Sequence, residues 1–164
     1  MGPPDSCRDN MTSVSTTIVA SDGSALAIQS AAAGLAILRP TDKVIIITVV
    51  DGTYPSLTKD DIGNKTHSTK KSHNNLRDER MADGQRALDQ TAAAMNRKVE
   101  TRLVEGDPGI AICEVANEVS ADAVVMGSHG HGGVRRALLG SVADYVVRHA
   151  TCPVVVSGSG THPC

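Results

Sequence analysis

The sequence predicts an α/β domain built on one five-stranded, mostly parallel, doubly wound sheet. Three observations carry this. β-branched runs alternate with segments of helical period in the order β-α-β-α-β-α-β-α-β, which implies right-handed crossovers and helices on both faces. The run Lys43 to Val50 is almost continuously apolar, as expected of a strand buried on both sides in a parallel sheet. The chain has 164 residues, 40% of them hydrophobic and 21% charged, which suits a single core and excludes a two-domain enzyme or a wholly disordered chain.

Residues 1–13 form a polar stretch expected to be a disordered tail, ahead of a domain over 14–157 and a C-terminal tail over 158–164. Val14 to Ala20 is β-branched and stops at the turn cluster Ser21-Asp-Gly-Ser24, which marks the first strand. Ser24 can cap a helix in which Ala25, Ile28, Ala32 and Leu35 recur at spacings of three and four, ending before Pro40. The second strand is Lys43 to Val50. From Asp51 to about Ser72 the chain is polar with no surviving period, and a surface loop is expected. His73 to about Arg97 favours helix, with Met81, Leu88, Ala92 and Met95 on one side. Val99 to Val104 alternates as a short strand. Asp107-Pro108 opens a third helix with apolar Ile112, Val115, Ala116 and Val119. Ala121 to Met126 is the fourth strand and Gly127 to Gly133 a glycine-dense loop. Ser141 looks like the N-cap of a last helix through Val146 and Val147, and Pro153 to Val156 is the fifth strand.

Composition removes several functions. The chain has no Phe or Trp and two Tyr, so the aromatic platforms on which unpaired bases stack cannot be assembled. A formal charge of −2 leaves no cation excess for a nucleic-acid backbone. The purest apolar stretch, Val44 to Val50, is far short of the ~20 residues of a spanning helix, and no leader pattern opens the chain, so a cytoplasmic protein is expected. Cys7, Cys113, Cys152 and Cys164 lack C-x-x-C spacing and read as reduced structural thiols.

Open α/β sheets bind ligands outside the carboxyl ends of their strands, where the winding reverses. Two turns stand there. One follows the first strand and carries Asp22. The other, after the fourth strand, runs Met126-Gly-Ser-His-Gly-His-Gly-Gly-Val-Arg-Arg-Ala-Leu-Leu-Gly-Ser-Val142. Its glycines allow close backbone approach, and the following helix start offers amides and a positive dipole end, which together suit a phosphate. The same residues equally suit a plain turn and a capped helix. No G-x-x-x-x-G-K-[ST] or G-x-G-x-x-G occurs.

The spacing Gly127-x2-Gly130-x9-Gly140-Ser141 resembles the nucleotide-binding signature of the universal stress protein family, in its ATP-binding branch. The flanking Val-Val-Met-Gly-Ser-His-Gly, Leu-Leu-Gly-Ser-Val and Arg148-His-Ala-Thr-Cys-Pro-Val-Val-Val156 are similar to the family's last third, and Ile18-Val-Ala-Ser-Asp-Gly-Ser24 to its first strand and acidic turn. The resemblance implies a Rossmann-like sheet of the universal stress protein and adenine nucleotide alpha hydrolase-like type, binding ATP or AMP with Mg²⁺. It implies that Asp22 approaches the ribose or the phosphate-bound metal, and that backbone at Ala20, Ser21 and Val49 meets the adenine. Met126, Gly127, Ser128, His129, Gly130, His131, Gly132 and Gly133 would wrap ribose and phosphates. Gly140, Ser141 and Val142 would hold the terminal phosphates. It also implies a homodimer through the last strand, Val154, Val155 and Val156, acting in a stress response through conformation or protein partners. Thr48 stands where many members have His.

Two other functions compete. A slow ATPase, or a hydrolase using Ser128 or Ser141 with a His and Asp22, is one, although no G-x-S-x-G elbow is present. A dimerisation module without nucleotide is the other; the small residues Gly127, Gly130, Gly140 and Ser141 argue against it. His129 and His131 are expected to contribute backbone rather than a metal site.

Overall fold

A computed structural model describes residues 16–38, 40–52, 68–129 and 139–158. Five strands, β1 (Thr16–Ala20), β2 (Lys43–Val50), β3 (Glu100–Glu105), β4 (Ala123–Gly127) and β5 (Val154–Ser157), alternate with α1 (Ala25–Ile37), α2 (Ser68–Ala94), α3 (Pro108–Glu118) and α4 (Ser141–His149). The sheet order is β3-β2-β1-β4-β5 and every pairing is parallel. The expected α/β architecture is therefore the observed one. The winding reverses between β1 and β4, where Ala20 lies opposite Met126 at the carboxyl ends.

The apolar run of β2 explains itself in three dimensions. Ile45 and Ile47 pack with Ile18, Val124, Met126, Ile112 and Val146 under α3 and α4. Val44 and Ile46 face the opposite way, toward Val19, Val125, Ala31 and Leu88 under α1 and α2. Both faces of the strand are core, so period-two alternation has nothing to report.

Ser24 caps α1 as expected, its side chain accepting from the Ala27 amide at 3.1 Å. The face of α1 is not the expected one. Ala25 and Ala32 are exposed and Ile28 and Leu35 half-buried, while Ala27, Ser30, Ala31 and Gly34 are buried. This helix has no charged residue, so hydrophobicity does not distinguish its faces. Size does. A Cβ on Gly34 would overlap Cγ1 of the fully buried Val125, so the small residues face the sheet and leave Leu26 50% and Ile37 74% exposed.

α2 starts at Ser68, so residues 68–72, expected to be loop, are helical, and residues 53–67 lie outside the described residues. The apolar period fails there although the backbone is helical, because periodicity records burial and not helicity. Further along, Leu88 and Met95 are buried, with Met81 and Ala92 half-buried. Asp107 caps α3 through the Ile110 amide at 3.0 Å with Pro108 in the first turn, as its sequence requires. Strand limits move by one or two residues: β3 gains Glu105, β4 begins at Ala123, and β5 runs from Val154 to Ser157. Val14 and Ser15, both proposed tails save Gly158, and Cys7 and Cys164 fall outside the described residues. Cys113 and Cys152 are free thiols, and burial pushes both upward from the usual thiol range. Among the described residues no helix is long and apolar enough to cross a membrane.

Gly34→Ala is expected to destabilise the fold by about 1–3 kcal/mol through overpacking against Val125, despite the better helix propensity of alanine. A urea midpoint equal to that of the parent would contradict this packing.

Candidate functional site

The turn leaving β1 is held by hydroxyl groups. Ser21 is buried; its amide donates to the Ile47 carbonyl at 3.0 Å and its carbonyl accepts from Thr48 Oγ1 at 2.8 Å. The Thr91 hydroxyl donates to the Ala87 carbonyl at 2.8 Å, which commits its one proton. The 2.9 Å contact between Ser21 Oγ and Thr91 Oγ1 therefore has Ser21 as donor. Ser21 Oγ in turn accepts from the Gly23 amide at 3.1 Å. The result is one directed chain, Gly23 to Ser21 to Thr91 to Ala87, tying the β1 turn to α2.

Gly23 completes the joint. Its φ is +76°, and a Cβ there would lie 2.6 Å from Ala87 Cα. Only glycine satisfies both the left-handed backbone and that approach. Asp22 sits between these anchors, with Oδ1 accepting from the Ser24 amide at 3.0 Å.

α2 presents one stripe to the strand ends: Arg77, Arg80, Gly84, Ala87 and Thr91, spaced by three and four residues. Arg77 binds Glu105 at the end of β3, with Nη2 to Oε2 at 2.6 Å. Gly84 lets the helix lie close, since a Cβ would fall 2.6 Å from Val50 Cγ2 and 2.7 Å from Leu103 Cδ1. Between this helix and the carboxyl ends of β1 and β2 is a pocket of about 310 Å³, lined by Asp22, the segment 48–51, and Arg80, Asp83, Gly84 and Ala87 of α2.

On the other side of Asp22 the chain leaves β4. The Ser128 amide donates to the Ser157 carbonyl at 2.9 Å, and the Ser128 carbonyl accepts from the Gly140 amide at 2.7 Å, closing the base of the glycine loop. Glycine suits both ends of this closure. A Cβ on Gly127 would lie 3.3 Å from the His129 carbonyl, and one on Gly140 would lie 3.1 Å from that of Ser128. Ser128 Oγ and His129 Nδ1 are 3.0 Å apart.

Ser141 is not the N-cap of α4. Gly140 is, with extended backbone and its carbonyl accepting from the Asp144 amide at 2.9 Å, and it offers no side chain to the helix. The first amides of α4, those of Ser141, Val142 and Ala143, have no intrahelical acceptor, as at any helix start. Asp144, in the same turn, is paired with Arg148 at 2.9 Å.

The structure thus brings Ala20, Ser21, Asp22, Met126, Gly127, Ser128 and His129 to two adjacent strand ends, and Gly140, Ser141 and Val142 to the neighbouring helix start. Val49 lines the pocket. Gly130, His131, Gly132 and Gly133 lie outside the described residues. Ser21 is committed through hydroxyl, amide and carbonyl, so it is a fixed point of the turn. The sequence reading missed Thr48, Asp51, Arg80, Asp83, Gly84, Ala87 and Thr91 as residues that form the pocket and the joint beside it; their local sequence carries no signal that brings α2 to the strand ends.

The sequence profile of the universal stress protein family matches residues 16–157. The chain belongs to that family. A universal stress protein of Staphylococcus aureus is 32% identical over 142 residues, covering 85% of this chain and 81% of that one. One from Methanocaldococcus jannaschii is 43% identical over 77 residues, so the match spans 45% of this chain and 45% of that relative's length. A solved universal stress protein in complex with cAMP superposes with a TM-score of 0.54 at 26% identity, covering 91% of this chain and 100% of that one. In this chain Gly127 and Gly140 sit at the backbone hydrogen bond from Gly140 to Ser128.

Thr91→Val leaves the buried Ser21 hydroxyl without its acceptor and is expected to cost about 1–3 kcal/mol. Thr91→Ser, which keeps the relay, is expected to stay near the parent in chemical denaturation. A loss in Thr91→Ser with none in Thr91→Val would assign the role of Thr91 to its methyl group.

Proposed function

We propose that the chain binds an adenine nucleotide, ATP or AMP, across the carboxyl ends of β1, β2 and β4. The observation that carries this is the division of charge between the two halves of the site. The pocket beside α2 holds the carboxylates of Asp22, Asp51 and Asp83, which repel a phosphate and accept hydrogen bonds from hydroxyl and amino groups. The start of α4, capped by a glycine that supplies no side-chain oxygen, suits an anion. A nucleotide has the matching polarity: base and ribose in the pocket, phosphates toward Ser128, Gly140, Ser141 and Val142. Cyclic AMP in the solved relative supports an adenine nucleotide as the ligand class.

In this reading Asp22 accepts from the ribose hydroxyls, and backbone at Val49 meets the base. Were Mg²⁺ carried in with ATP, Asp22 would be the residue to contribute a carboxylate to it, and the ion would neutralise phosphate charge. Ser141 donates its exposed hydroxyl to a phosphate oxygen. The bound state then acts through conformation and protein partners in a stress response.

The same reading makes the protein a homodimer through β5. Of the two edge strands, β3 carries Glu100, Arg102 and Glu105, with the Glu100 carboxyl held below its usual range by Lys43 and then Arg102. Such charges discourage edge pairing. The other edge, Val154, Val155 and Val156, has none. The carbonyls of Pro153 and Ser157 accept from Val124 and Ser128 at 3.0 and 2.9 Å, so the alternating backbone groups of Val154 and Val156 face the open edge.

Calorimetric titration with AMP, ATP and cAMP, with and without Mg²⁺, tests the ligand. Asp22→Ala is expected to weaken AMP about tenfold through lost charge-assisted hydrogen bonds. Parental affinity in that variant would confine Asp22 to its Asx turn with Ser24. Val156→Pro is expected to convert a dimer to a monomer in light scattering while keeping the parental circular dichroism. A dimer that survives the proline must use another surface.

A further inference from the structure

We propose that Arg80 of α2 contacts the nucleobase directly and supplies the flat surface on which it stacks. The inference rests on the nucleotide reading above and names a residue outside the glycine signature. A ligand entering the pocket lies between the end of β2 on one side and α2 on the other. The segment from Thr48 to Asp51 at the end of β2 forms one side. The opposite wall offers Gly84 and Ala87, which are too small to cover a base, and the charged side chains of Arg80 and Asp83.

A planar or polarisable partner on its second face strengthens the binding of a base, and aromatic side chains commonly supply it. Among the described residues that line this pocket none is aromatic. The chain has no Phe or Trp, and Tyr145 is on α4, stacked on His149 with ring centroids 4.0 Å apart and against Gly109. The Arg80 guanidinium, which does line the pocket, is planar and stacks on π systems with cation–π attraction.

Arg80 is the one cation among the described lining residues, and its neighbours in the pocket argue against use as a phosphate clamp. A phosphate drawn to it would enter a space walled by three carboxylates, Asp22, Asp51 and Asp83. A neutral base meets no such repulsion. The position of Arg80 is also fixed at several points. Its Nη1 donates to the Asp51 carbonyl at 3.2 Å across the mouth of the pocket. One turn earlier Arg77 grips Glu105, one turn later Gly84 is pressed on Val50 and Leu103, and Thr91 is tied to Ser21. These contacts set the position of the helix, and they place the Arg80 guanidinium beside Asp51 at the pocket.

The test is titration of the full chain and of Arg80→Lys and Arg80→Met with adenosine, AMP and ribose 5-phosphate. Both variants are expected to lose roughly tenfold in affinity for adenosine and for AMP alike, with ribose 5-phosphate unchanged. Lysine should fail as methionine does, because charge without a plane does not stack. Loss for AMP but not for adenosine would assign Arg80 to the phosphate and overturn the proposal. So would Arg80→Lys binding like the parent while Arg80→Met does not, and so would parental affinity in both. If the parent itself binds neither adenosine nor AMP, the nucleotide reading fails, and with it this one.

Discussion

The joint between the β1 turn and α2 is the constraint on which the rest of the site depends. Gly23 brings its backbone so close to Ala87 that no Cβ fits, and the hydroxyls of Ser21 and Thr91 bond within that contact. Thr48 locks the same turn to β2 through the Ser21 carbonyl. Three elements distant in sequence thus share one buried polar residue, and each hydroxyl in the chain has its proton accounted for. A buried network of this kind is stable because it is fully satisfied; one missing partner leaves a costly orphan. With the turn fixed, Asp22 has a defined position, and with α2 fixed, the pocket has a second wall.

From that joint the electrostatic division of the site follows. The α2 side gathers Asp22, Asp51 and Asp83 around Arg80, whereas the β4 side ends in a loop closed by backbone hydrogen bonds and a helix start with a glycine cap. The two sides meet at adjacent strand ends because the sheet order places β1 between β2 and β4. This is the physical content of a topological switch point: successive strands diverge there, and the loops leaving them open a crevice. A ligand that is neutral and hydrogen-bonding at one end and anionic at the other has its orientation set by that arrangement.

Packing shows a parallel lesson. Where a helix carries no charge, as in α1, residue size selects the buried face, and Gly34 lies over Val125 while Ile37 points to solvent. Where a helix is polar for several turns, as α2 is at its start, the apolar period disappears although the helix continues. Both departures from the sequence reading arise because hydrophobic periodicity measures contrast between faces, and contrast is absent in each case. The caps at Ser24 and Asp107 were legible because capping is a local hydrogen bond made within three residues. The cap of α4 was displaced by one residue because Gly140, which carries no capping side chain, takes the position through its backbone, pulled by the Ser128 carbonyl.

The sequence by itself determined the fold class, the order of the elements and the family. These are properties of local pattern: β-branched runs, helical period and a fixed glycine spacing survive without knowledge of contacts. Only the tertiary structure decided which side chains finish the site. Arg80, Asp83, Gly84, Ala87 and Thr91 belong to a helix that reads as generic surface, and nothing in their order says that it lies across the ends of β1, β2 and β3. That placement comes from two close approaches, Gly23 on Ala87 and Gly84 on Val50, and from a hydroxyl contact spanning 70 residues of chain. Such contacts are set by shape between distant segments, and a linear pattern does not record shape.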